Sequence, residues 1–141
     1  MEAEDITIRM AKNDEGDVIG DLVLRGCGFG AFDGWDIDWS DIEPYWFVAE
    51  AAGVPLGCVQ VCPGKPIGRV EMLSVEPALT KREAGLVTKV LIGQAIMTAR
   101  LYGGQGLSGV IFDENADFKQ VAEHRGWFDG GGGHLYYKRI V

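Results

Sequence analysis

The sequence predicts a single α+β domain, a mixed, mostly antiparallel sheet flanked by helices, over residues 1–141. Three observations lead there. Short apolar or alternating runs bounded by turn residues recur at 6–10, 46–51, 56–62 and 69–75. A long apolar helical pattern over 84–102 separates the last of these from another apolar run at 107–112, which makes a strand–helix–strand unit. The 141 residues, 47% hydrophobic and 24% charged, suit one soluble globular core.

The elements follow in order. "ITIRM" alternates and reads as a strand. Asn13 is a good N-cap, acids fill the next turn, and Val18, Ile19, Leu22 and Val23 recur at helical spacing. Residues 29–45 mix aromatics, acids and glycines and read as an irregular loop or a short helix. "WFVAEA", a turn at "AGVP" and "LGCVQVC" make a hairpin, and "RVEMLSV" extends it to a meander. The helix over 84–102 is apolar on most of its circumference, so it should lie on a sheet, with Gly103-Gly104 as its stop. "NADFKQVAEHR" reads as an amphipathic helix capped by Asn115. The chain then ends in a hairpin pattern with a Gly-rich turn at 130–133 and a strand at 134–140.

Charge and cysteine usage narrow the function classes. The net charge is −8, and residues 1–50 hold 13 acids against Arg9, Lys12 and Arg25. No basic nucleic-acid footprint exists, whereas an acidic face can draw cations such as amines, or be a solvated surface. No uncharged apolar run of 18 residues is present, so no membrane span is expected. The acidic start does not read as a secretory signal. Cys27, Cys58 and Cys62 form no paired framework and read as reduced thiols in a cytoplasm-like compartment. His124 and His134 lack ligand spacing to them, so no metal site is expected.

The stretch "EMLSVEPALTKREAGLVTKVLI" carries the chemistry. An apolar strand ends at Pro77, and a Lys-Arg turn and Gly85 open the long helix. A helix N-terminus presents unpaired N–H groups and partial positive charge, and glycine lets a phosphate approach the backbone. Lys81 and Arg82 would add charge-assisted bonds. The alternative is an ordinary strand–helix corner with a solvated Lys-Arg pair. Glu71 lies two residues before Leu73 and is therefore expected on the same strand face. Half-buried there, its carboxylate could act as general base to an ammonium. The alternative is a cross-strand ion pair or plain exposure.

These elements and motifs, from Ile6 to Ile140, resemble the GNAT superfamily, the acyl-CoA N-acyltransferases. "LSVEP" resembles the end of the family's fourth strand, with Val75 and Pro77 at its V-x-P spacing. "REAGLV" resembles the pyrophosphate loop R/Q-x-x-G-x-G/A, with Arg82 and Gly85 in place and Val87 where a small residue is usual. Holding the Pro spacing instead puts Thr80 in the Arg position and Glu83 where the first Gly belongs. The helix phase favours the former register, with Leu86, Val90 and Leu91 facing the sheet.

The resemblance implies acetyl-CoA as co-substrate, held by Leu73, Ser74, Val75, Lys81, Arg82, Gly85, Leu86, Val87 and Asn115. It implies direct attack by a small or protein amine, with strand amides polarising the thioester. The family's general-acid Tyr falls on Ala122, so proton donation would pass to Tyr102, Tyr136 or Tyr137, with Tyr136 as the candidate catalytic residue beside Glu71. A second reading is a GNAT-fold protein that no longer catalyses, a binding or assembly module loosely like small GNAT-like proteins of tailed phages. Its partner would be a virion component or a second copy. The rings Phe29, Phe32, Trp35, Trp39, Tyr45 and Trp46 would then be a contact surface, or else pack as the loop's own core.

Overall fold

Apolar residues of the meander divide between two faces, and each face receives one helix. The computed structural model describes residues 1–26, 34–111, 116–131 and 138. The contacts divide the chain into two units, Met1–Val110 and Ile111–Val141. The first holds five strands in the order β1-β2-β3-β4-β5: Thr7–Met10, Trp46–Ala51, Val54–Cys62, Ile67–Val75 and Gly106–Ser108. The first four are antiparallel, and β4 and β5 are parallel. The crossover between these two is the long helix α2, Lys81–Leu101. The antiparallel meander and the β4-α2-β5 unit are thus as the sequence predicts.

Helix α1, Gly16–Gly26, lies on one face, where Ile19, Leu22 and Val23 pack with Trp46, Val48 and Cys58. Helix α2 lies on the other, where Val87, Leu91 and Ala95 pack with Phe47, Ala49, Val59 and Val61. Alternation along β2 and β3 supplies both sets from the same strands. Such burial contributes about 1.5–3 kcal/mol for each large apolar side chain. By length and mean hydropathy α2 could cross a membrane, a property its Lys and Arg residues mask in the sequence. Val87, Leu91, Ala95, Thr98 and Ala99 are nevertheless buried, in a stripe with helical spacing.

Several boundaries differ from expectation, each for a local reason. A 3-10 turn, Asn13–Glu15, precedes α1, and Lys12 rather than Asn13 is its flanking residue. The Glu15 carboxylate accepts from the Lys12 amide at 2.8 Å, which closes that turn. Helix α2 starts earlier than expected, because Thr80 and Glu83 form a reciprocal capping box there. Strand β3 starts at Val54 because Ala52 and Gly53, with φ of 50° and 76°, make a two-residue turn. Strand β5 is shorter than expected, since Gly109 and Val110 lie outside it.

No helix or strand occupies 34–45, and part of this loop covers the α1 face. Trp35, Ile37, Trp39 and Ile42 pack against that core, and the Trp39 and Trp46 rings meet edge to face at 6.3 Å. Trp35 and Trp39 therefore serve the loop's own packing rather than an exposed surface. Phe29 and Phe32 lie outside the described residues. A Cβ on Gly20 would sit 2.6 Å from the Trp39 indole, so a glycine within α1 makes room for this ring.

The second unit contains helix α3, Ala116–His124, followed by an irregular stretch. Asn115, Cys27, Tyr136, Tyr137 and most of the expected terminal strand lie outside the described residues.

Candidate functional site

The sheet opens beside β4. Strand β5 pairs only with its first part, Ile67 to Arg69 against Gly106 to Ser108. Val70 to Val75 continue with β3 on one side, and among the described residues no strand is laddered on the other. Glu76 donates its amide to Leu56 O at 2.9 Å. In an antiparallel ladder alternate residues turn the other way, so Val75 and Leu73 direct N–H and C=O away from β3, into the opening.

A β-bulge shapes this edge. Cys58 pairs Ser74 and Gln60 pairs Glu71, so β4 carries one more residue than β3 between those pairs. Met72 takes a φ of 51°, a left-handed conformation uncommon for a non-glycine residue. The Ser74 hydroxyl donates to Met72 O at 2.9 Å, and Ser74 is fully buried. Its side chain therefore braces the bulge, and only its backbone borders the opening.

The extra residue reverses the strand's parity. Glu71, paired with Gln60, shares the α1 face with Cys58. Leu73 and Val75 pack toward α2. Glu71 and Leu73 are thus on opposite faces, contrary to the expectation from simple alternation. The Glu71 side chain is 43% exposed and pairs at 3.2 Å with Arg69 of its own strand, so it is neither the desolvated base nor the cross-strand pair expected as its alternative.

The corner at α2 also differs from the favoured register. Thr80 Oγ1 accepts from the Glu83 amide at 3.2 Å, and the Glu83 carboxylate accepts from the Thr80 amide at 3.0 Å. The Ala84 amide already bonds to Thr80 O at 2.8 Å. Gly85, Leu86 and Val87 therefore lie past the first turn, where helical bonds take their amides. An anion would meet Lys81 and Arg82 instead, since Thr80 Oγ1 already takes the Glu83 amide. The Thr80 amide and hydroxyl keep the Glu83 carboxyl below its ordinary range, so a full negative charge stands there. Arg82 turns to Met1 O at 2.9 Å and the Glu2 carboxylate at 2.8 Å. The Val87 side chain is fully buried under α2, so its bulk points into the core and not toward a ligand. Leu86 and Val90 are half-buried, and the sheet-facing stripe runs through Val87 and Leu91. A Cβ on Gly85 would meet nothing, which leaves that side of the helix open.

Tyr102 is at the far end of α2, its hydroxyl bonded to that of Tyr45, which pushes its pKa up. It is therefore not placed beside the outward groups of Leu73 and Val75. Four acids of the first third, Asp14, Asp17, Asp36 and Asp38, line a cleft of ≈ 620 Å³ with Trp39 at the start of α1. That end of α1 is roughly 15 Å from Gly26 at 1.5 Å per residue. Among the described residues no His, Cys, Asp and Glu group could hold a metal.

No protein-family model and no curated protein matches the chain. Solved structures do. The aminoglycoside N-acetyltransferase AAC(6')-Iy, in complex with the bisubstrate analog CoA-S-monomethyl-acetylneamine, matches at a TM-score of 0.71 and 19% identity. That match covers 96% of this chain and 99% of that one. The aminoglycoside acetyltransferase meta-AAC0020, from an uncultured soil metagenomic sample and in complex with sisomicin, matches at 0.71 and 14%, covering 97% and 98%. The chain has the GNAT fold. A transcriptional regulator from Bacillus halodurans C-125 matches too, at 0.68 and 13%, covering 94% and 99%. At such identities the likeness speaks for the GNAT fold and not for one activity.

Proposed function

We propose that the protein is an acyl-CoA-dependent N-acyltransferase that moves an acetyl group from acetyl-CoA to an amine. The observation that carries this reading is the bulged, unladdered edge of β4, with the backbone groups of Leu73 and Val75 turned into the opening. That several structures of this fold hold CoA or a CoA analog supports the choice of donor. The residues fit it unevenly. The β4 edge offers amides to an extended amide-bearing chain, and the first turn of α2 offers a helix N-terminus to a diphosphate. Glu83 opposes the latter.

In this reading the outward Leu73 amide polarises the thioester carbonyl. The amine attacks it directly. A C–N bond forms as the C–S bond breaks, the amine loses one proton, and CoA leaves as the thiol. Tyr136 is the candidate to give the departing sulfur its proton, and the amine's proton passes to solvent, because Glu71 is paired with Arg69 on the face opposite Leu73. The acceptor is a small or protein amine drawn by the net charge of −8.

A second reading, a GNAT-fold protein that binds without transferring, draws on the Glu83 carboxylate in the first turn of α2 and on Ala122 in place of the family's Tyr.

Thermal unfolding with and without acetyl-CoA tests the proposal. Ligand at about a hundredfold its dissociation constant should stabilise the fold by ~2.7 kcal/mol. Arg82→Glu should abolish the shift, and Lys65→Glu, near Gly103 at the other end of α2, should keep it. No shift at millimolar acetyl-CoA would overturn the proposal. Acetyl transfer to a panel of amines then separates the enzyme from the silent binder.

A further inference from the structure

The outward edge of β4 is not bare along its length. Gly26, the last residue of α1, lies against the Val75 peptide. A Cβ built on Gly26 would stand 2.5 Å from Val75 O and 3.0 Å from Val75 N. Both atoms belong to the groups that Val75 turns into the opening, so the end of α1 covers them. Arg25 fastens the cover. Its guanidinium donates to the Glu76 carboxylate directly after β4, and to Asp21 Oδ2 at 2.8 Å. Glu76 is itself held, since its other oxygen accepts from the Ala78 amide at 3.2 Å. An extended ligand running from Leu73 to the first turn of α2 has to pass Val75 and Glu76, and therefore this cover.

We infer that the C-terminal turn of α1 is a displaceable cover over the acyl-CoA slot, clasped by Arg25 on Glu76, and that the ligand binds only after this turn leaves the Val75 edge. The inference rests on the acyl-CoA reading. When the competent state is a fraction of the population, apparent affinity falls by that fraction. Loosening the clasp therefore tightens binding, the opposite of what loss of a ligand-contacting arginine does.

The test pairs calorimetric titration of acetyl-CoA with the nuclear Overhauser contact between the Gly26 α-protons and the Val75 amide proton. Arg25→Ala removes the clasp. Gly26→Ala keeps a good helix former, but its methyl cannot stay 2.5 Å from a carbonyl oxygen, so the turn must shift. The contact is expected in the ligand-free wild type and is expected to vanish with acetyl-CoA. Affinity should rise about two- to fivefold in Arg25→Ala, the equivalent of an exposed ion pair, and about tenfold in Gly26→Ala. Binding by Gly26→Ala alone would support the cover most strongly. A contact absent from the free protein, a contact retained in the complex, or equal or weaker affinity in both variants would overturn the inference and leave the acyl-CoA reading standing. If no form binds although the contact is lost in Gly26→Ala, the acyl-CoA reading fails and the cover falls with it.

Discussion

Two residues, Met72 and Ser74, decide the geometry of the candidate site. The left-handed Met72 gives β4 its extra residue, and the buried Ser74 hydroxyl bonds the Met72 carbonyl. Ser74→Ala leaves that carbonyl without its donor and should cost about 1–2 kcal/mol, read from the urea midpoint. Nothing in "EMLSV" announces the bulge, because methionine is not a residue that seeks positive φ. That is why simple alternation puts Glu71 on the wrong face. By contrast the capping box was legible. Thr80-Lys81-Arg82-Glu83 is the S/T-x-x-E pattern, a signal that the choice of register by helix phase leaves unused. Glu83→Gln removes the negative charge from the first turn of α2. Acetyl-CoA should then bind more tightly, by several-fold in a calorimetric titration.

Elements show what the glycines and the long helix are for. In an isolated helix Gly→Ala stabilises by roughly 0.5–1 kcal/mol. At Gly20 the sign should reverse, because the methyl would meet the Trp39 ring at 2.6 Å. Gly20→Ala is expected to destabilise by about 1–3 kcal/mol in thermal unfolding. Sequence periodicity cannot show this, since the ring arrives from a loop with no period. Helix α2 was the clearest element in the sequence, and Leu91 faces the sheet as expected, with Leu86 and Val90 packed at the margin of a stripe that also holds Val87. It is apolar on most sides, so the pattern marks a helix but weakly marks which stripe is buried. The structure places Leu91 in that stripe, fully buried, and Leu91→Ala should cost about 2–5 kcal/mol.

For the whole molecule, the order of strands and helices carried most of the fold. Turn residues, alternation and one long helix specify a meander with a parallel crossover before any contact is known. The site was legible as a location, the end of β4 and the start of α2. It was not legible as a set of groups, because a bulge and a capping box decide which amides face outward. Charge acts at this scale too. Arg9 joins Glu15 and Glu50 across β1, the following turn and β2, at 2.6 and 3.3 Å. The Arg9 guanidinium lowers the Glu15 pKa to about 2, below its ordinary 4.5. A carboxyl depressed by folding stabilises the protein above its unfolded pKa and loses that contribution as pH falls through the folded one. Stability should therefore decline from about pH 5 toward pH 2. Glu15→Gln should flatten that decline by on the order of 1–2 kcal/mol, after allowing for solvent screening.

The central claim is that the outward amides of β4 receive the acyl donor, and amide chemical shifts report on it most directly. Titrating acetyl-CoA into the 15N-labelled protein should move Leu73, Val75 and the first turn of α2, and leave Thr7 to Met10 on β1 in place. Shifts absent from Leu73 and Val75 at saturating ligand, or confined to other parts of the chain, would contradict the account.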